Sequence, residues 1–220
     1  MCLIVFLISC FLQCSIADEI LLWKSKRTFI EADCIKNYRY LISNFAENKI
    51  LLKDIELASL VALSYFPELK NIEIEFVLDD IKTTMETRPK INYLLSFNKK
   101  RKYVIYVDSI VKLNYGILID QVPFNALIGL IGHELSHIVD YERRGILNLI
   151  SLLFNYSDLE FKKNFEEFID LQTINKGLAW QLYDWADFAM CKSNASEKYK
   201  NFKMALYMDP VEIEKFIVNN

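Results

Sequence analysis

Residues 123–145 read PFNALIGLIGHELSHIVDYERRG, and this stretch decides how the rest of the chain is read. Apolar residues recur at helical spacing from Phe124 to about Arg144, Pro123 suits a first helical turn, and Gly145 stands where a helix would stop. The spacing predicts one long helix. Midway along it lie His133, Glu134 and His137, the pattern HExxH. Imidazoles at i and i+4 share one helix face and can reach a single zinc ion, whereas Glu134 is rotated away from the pair and suits a general base acting on a metal-bound water. The bland alternative is a structural helix with a fortuitous match. Against it, the chain has only 2 histidines and both fall in the pattern.

Upstream, Ile72-Glu73-Ile74-Glu75-Phe76-Val77-Leu78 alternates with period two and predicts a half-buried strand. Ile91 to Phe97 and Tyr103 to Asp108 predict a second and a third, with 79–90 read as the loop between the first two. Tyr103 to Asp108 is read either as an ordinary core strand or as an edge strand that pairs with an extended substrate. Residues 30–45 and 53–65 predict helices, the first with Asp33 as a candidate N-cap. Downstream, Ile146 to Tyr156 reads as a short buried helix, Leu159 to Asn175 as a longer one closed by Lys176-Gly177, and Asp209-Pro210 opens the last. Trp180, Tyr183 and Trp185 fall in an aromatic-rich segment that reads mainly as core, with Tyr183 as candidate oxyanion donor. Two helices, three strands and then helices make an α+β domain, a small three-stranded sheet packed on a helical bundle.

Composition narrows the function classes. Hydrophobic residues make up 53% and charged residues 25%, with 5 Gly and 4 Pro, which excludes a disordered or low-complexity chain. A net charge of −3 supplies no field for phosphates, so no nucleic-acid partner is expected. Met1 to Ala17 carries no charge, and Ser15-Ile16-Ala17 places small residues before a cleavage point, so 1–17 reads as a signal peptide and 18–220 as one domain. Leu7-Ile8-Ser9-Cys10 alternatively reads as a lipid-anchor site at Cys10, and an uncleaved anchor is a third reading. The first two place the protein outside the cytoplasm, secreted or as a membrane-anchored lipoprotein, with no membrane span in the mature chain. Of the 5 cysteines only Cys34 and Cys191 lie beyond the leader, enough for one bridge but not for a disulfide framework.

A catalytic zinc site needs a third protein ligand, and with no third histidine a carboxylate is expected. Asp140 follows His137 on the same helix, but it rises about 4.5 Å beyond His137 and about 10.5 Å beyond His133, far for a short side chain. Glu166 and Asp170 sit at i and i+4 on the next long predicted helix, where they read either as a site or as part of a solvated acidic face with Glu160 and Glu167. HELSH followed by Glu-x-x-x-Asp resembles the gluzincin metallopeptidases, and the small minigluzincins share the order of helix, three-stranded sheet, HExxH helix and Glu-bearing helix. The resemblance covers roughly Phe124 to Asp170. It implies a zincin-like fold, with His133, His137 and Glu166 as zinc ligands, Glu134 as base and Asp170 orienting a ligand histidine. It departs from that group in lacking a downstream histidine and in having Ile169 before the aspartate. The expected function is a secreted zinc metallopeptidase acting on peptides or proteins. The alternative is a zinc-containing accessory protein on a degenerate peptidase fold.

Overall fold

In the computed structural model, which describes residues 26–90, 101–109 and 116–218, the alternating segment forms a strand, Glu73–Asp79, within one mixed sheet. Among the described residues the sheet has four strands where three are expected: β1 (Lys49–Ile50), β2 (Glu73–Asp79), β3 (Met85–Pro89) and β4 (Lys102–Asp108), in the order β1-β2-β4-β3. β1, β2 and β4 run parallel, and β3 is antiparallel to β4 with Thr87 opposite Ile105. Two expectations are corrected here. The segment read as a loop contains β3, whose sequence Met-Glu-Thr-Arg-Pro has no apolar alternation and becomes a strand by pairing with β4. Tyr103 to Asp108 is therefore an interior strand, and among the described residues β3 is the edge strand beyond it. The candidate strand Ile91–Phe97, the candidate signal peptide 1–17 and the alternative lipid-anchor residue Cys10 lie outside the described residues.

The helices are α1 (Glu31–Lys36), α2 (Tyr38–Phe45), α3 (Glu56–Leu63), α4 (Phe124–Arg143), α5 (Ile146–Asn155), α6 (Leu159–Thr173), α7 (Ala179–Asp187), α8 (Glu197–Leu206) and α9 (Pro210–Val218). The chain is thus α+β. The predicted helix 30–45 is broken at Asn37, and Asp33 lies inside the first turn of α1 rather than at its cap. Gly145 does not stop α4 either. Arg144 turns extended at ψ 138, while the Arg101 guanidinium donates to the carbonyls of Tyr141 and Arg144 and so satisfies the helix end. Gly145 instead precedes α5. α6 closes near the expected place, through Gly177 in the left-handed region at φ 94.

α4 is the centre of the molecule, packed by α3, α6, α7 and β3. Gly129 lets the α7 backbone approach so closely that a Cβ there would lie 2.1 Å from the Gln181 carbonyl oxygen. Ser136 and Thr173 share a 2.8 Å hydrogen bond that ties α4 to α6. Residues 26–29 are strapped across α4 and α7: the Phe29 N–H donates to Asn125 Oδ1 at 2.8 Å, and Arg27 forms a two-bond pair with Asp184. Cys34 and Cys191 are both free, Cys34 buried and Cys191 exposed, so the bridge that composition allows is not formed. Among the described residues no helix is long and apolar enough to cross a membrane.

Candidate metal centre

The i, i+4 spacing on α4 brings the two imidazoles together, with His133 Nε2 and His137 Nε2 3.2 Å apart. α6 crosses α4 so that Glu166 Oε2 lies 3.1 Å from His133 Nε2 and 3.3 Å from His137 Nε2. Three ligand atoms from two helices therefore converge on one point, and the group can hold a metal ion. It is buried: His133 is 4% exposed, His137 5% and Glu166 1%. The remaining oxygen of Glu166 accepts the Tyr156 hydroxyl.

A turn after Glu166, Asp170 reaches behind His133. Its Oδ1 takes the Nδ1–H at 2.8 Å and its Oδ2 takes the Met208 N–H at 3.0 Å. A carboxylate accepts only, so Nδ1 carries a proton, which leaves Nε2 as the atom that would offer its lone pair to a bound metal. His137 lacks such a partner, and among the described residues its Nδ1 makes no hydrogen bond. Burial pushes the His133 pKa down, but Asp170 and Glu166 outweigh it and raise the value to about 10. Burial likewise opposes charge on Glu166, and the two histidines hold its carboxyl well below the usual range.

Glu134 stands beside the ligands without joining them. Its Oε2 accepts the Thr87 hydroxyl at 2.7 Å, and the same hydroxyl lies 3.2 Å from the Glu134 carbonyl oxygen. Thr87 thus links the edge strand to the candidate base. Sequence reading missed it, because β3 carries no strand pattern.

Two other candidates stand elsewhere. Asp140 pairs with Arg144, at 2.5 and 3.1 Å. Tyr183 is not brought to the group: its ring meets Trp180 at 5.9 Å and the Arg27 guanidinium at 5.7 Å. The tyrosines that do surround the ligands are Tyr141, 5.7 Å from the His137 ring, Tyr207, 5.5 Å from the His133 ring, and Tyr156. Burial first, then the charge of Glu166, raises all three phenols, which keeps them as hydrogen-bond donors. Only Tyr141 had a sequence signal, one turn after His137 on the same face. No family model, curated protein or solved structure matches the chain.

Proposed function

We propose that the protein is an exported, zinc-dependent metallopeptidase of gluzincin type with a zincin-like fold. One observation carries this reading: three ligand atoms lie 3.1–3.3 Å apart, while Glu134, the residue after His133, stays outside the set with its carboxylate bound to Thr87. Tetrahedral zinc bonds of about 2.0–2.1 Å separate ligand atoms by about 3.3–3.4 Å, so the spacing of His133, His137 and Glu166 fits zinc, which these three residues would hold. Zinc, when bound, polarises a peptide carbonyl and makes water acidic enough to react near neutral pH. Glu134 takes the proton of the attacking water at its carboxylate and returns it to the leaving amine. Thr87 fixes the carboxylate by occupying Oε2, and Asp170 fixes the His133 ring. Tyr207, rather than Tyr183, is the donor for the developing oxyanion, because its ring lies against His133 and its hydroxyl has no partner among the described residues.

In this reading an extended substrate adds at β3. Asp108 N–H donates to the Thr84 carbonyl and Lys90 N–H to the Lys102 carbonyl, so even-numbered residues of β3 bond to β4. Thr87 then turns its N–H and C=O outward, while the Met85 carbonyl already accepts the Thr83 hydroxyl, so an extended peptide would add as a further strand at Thr87. Pro89 has no N–H and ends that register. Export rests on the uncharged apolar leader, with acylation at Cys10 as the alternative route.

The burial of the ligand group favours a second reading, a zinc-containing accessory protein without turnover. One experiment separates the two. The purified protein is analysed for metal and given a mixed peptide library with and without chelator. Zinc near one equivalent and chelator-sensitive cleavage are expected. Glu134→Gln should keep the metal and lose at least ~10²-fold in rate, and Glu166→Ala should lose the metal. Zinc without Glu134-dependent cleavage selects the accessory reading, and metal retained in Glu166→Ala removes the gluzincin assignment.

A further inference from the structure

Two lysines stand around the ligand group, each one aromatic ring away from it. Lys162 lies one turn before Glu166 on α6, with Nζ 4.7 Å from the centroid of Tyr156, whose hydroxyl is bound to Glu166. Lys203 lies on α8 with Nζ 4.3 Å from the centroid of Tyr207, whose ring lies against His133. Lys203 is 5% exposed and belongs to the inward stripe of α8 with Tyr199 and Leu206. An apolar residue of the same length would fill that stripe without removing a charge from water.

Neither ammonium has a carboxylate partner among the described residues. The nearby carboxylates are engaged. Glu166 is used at both oxygens by His133, His137 and Tyr156, Asp170 by His133 and Met208, and Glu86 is paired with Arg88 at 2.5 Å. The two cations also oppose one another. Burial, and with it the charge of Lys203, lowers the Lys162 pKa against the pull of Glu166 and Glu86. Aromatic faces offset part of the lost hydration but do not neutralise charge. Partly buried cations without anions are costly unless an anion arrives.

We propose that Lys162 and Lys203 form a carboxylate subsite beside the ligand group, so that the favoured substrate is a peptide carrying an acidic side chain or a free C-terminus next to the bond cleaved. This rests on the peptidase reading. Lys162, half-buried, is the first contact. Lys203 shares with Asp170 and Tyr207 a cavity of about 10 Å³, room for one water, and reaches the anion by swinging off the Tyr207 face.

Three probes test it: acetyl-Ala-Glu-Ala-amide, acetyl-Ala-Gln-Ala acid and acetyl-Ala-Gln-Ala-amide, titrated calorimetrically into the purified protein of known zinc content. Binding of one or both carboxylate probes should exceed that of the neutral one by roughly 10-fold or more, the scale of one charge-assisted hydrogen bond. Which probe gains tells a side-chain carboxylate from a C-terminal one. Lys162→Met should remove most of the preference, Lys162→Arg should keep it, and Lys203→Met should reduce it. Equal binding of all three probes overturns the proposal. So does a preference that survives in the folded double variant, since that would be the metal's own attraction for carboxylates. The titrations use Glu134→Gln protein, so that binding is read without turnover. A Lys162-dependent preference with no cleavage of any library peptide would therefore keep the subsite and remove the peptidase reading, and cleavage with no carboxylate preference would do the reverse.

Discussion

Helices α4 and α5 follow one another directly and draw on the same apolar residue types, yet they occupy opposite situations. In α4 every residue from Asn125 to Tyr141 is buried, polar ones included. In α5 only Leu149 and Leu152 are buried, while Leu147 is 81% and Phe154 77% exposed, so the short buried helix expected there lies half in solvent. Apolar composition does not distinguish the two. Neighbours do: α4 is enclosed by α3, α6, α7 and β3. That enclosure is what allows His133, Glu134 and His137 to be held at fixed distances by partners from other elements. A helix with the same residues but without neighbours could not hold a metal group in register.

The comparison can be broken most severely at Gly129. A methyl there would meet the α7 backbone at 2.1 Å, and no side chain can move aside. Gly129→Ala should cost about 3 kcal/mol or more in urea unfolding. A loss below about 0.5 kcal/mol would mean that α7 does not rest on α4 as described. Next in size is the support that α6 gives to α4. Asp170→Ala frees the His133 Nδ1–H and should weaken zinc binding ~10–100-fold in a competitive chelator titration. Asp140→Ala, which loses only Arg144, should leave zinc affinity within about a factor of 3 of the parent, well short of that range. Equal effects of the two would return Asp140 to the list of ligands.

Smaller effects sharpen the α5 side. Gly145 has nothing within 4 Å of an added Cβ and no positive φ, and the gain of Gly145→Ala through the unfolded chain is offset by the poorer N-cap it gives α5, so stability should change by less than ~1 kcal/mol. The same substitution 16 residues earlier is the severe one. Smallest of all, Phe154→Ser should change unfolding free energy by no more than about 0.5 kcal/mol. A larger loss would show that α5 is covered in solution.

The residues of the candidate site were legible to different depths. His133, Glu134 and His137 could be read because their relation is local: one helix, one turn, one face. Glu166 and Asp170 could be paired with each other for the same reason. That Glu166 Oε2 lies between the imidazoles, and that Asp140 turns to Arg144, could not be read, because both depend on how α6 crosses α4. Tyr183 was a candidate by residue type alone, and α7 carries it to Arg27 instead.

The long helix with both histidines on one face and the alternating β2 are legible in the chain itself, because a period of 3.6 or 2 is written into neighbouring residues. That Met85–Pro89 is a strand, that among the described residues it lies outside β4, and that Thr87 meets Glu134 from it all follow from pairing with distant segments. The tertiary structure alone set Tyr207 beside His133 and Asp170 behind it. Strand pairing, edge position and the approach of side chains from distant segments arise from contacts between residues far apart in the chain, and no local period encodes them.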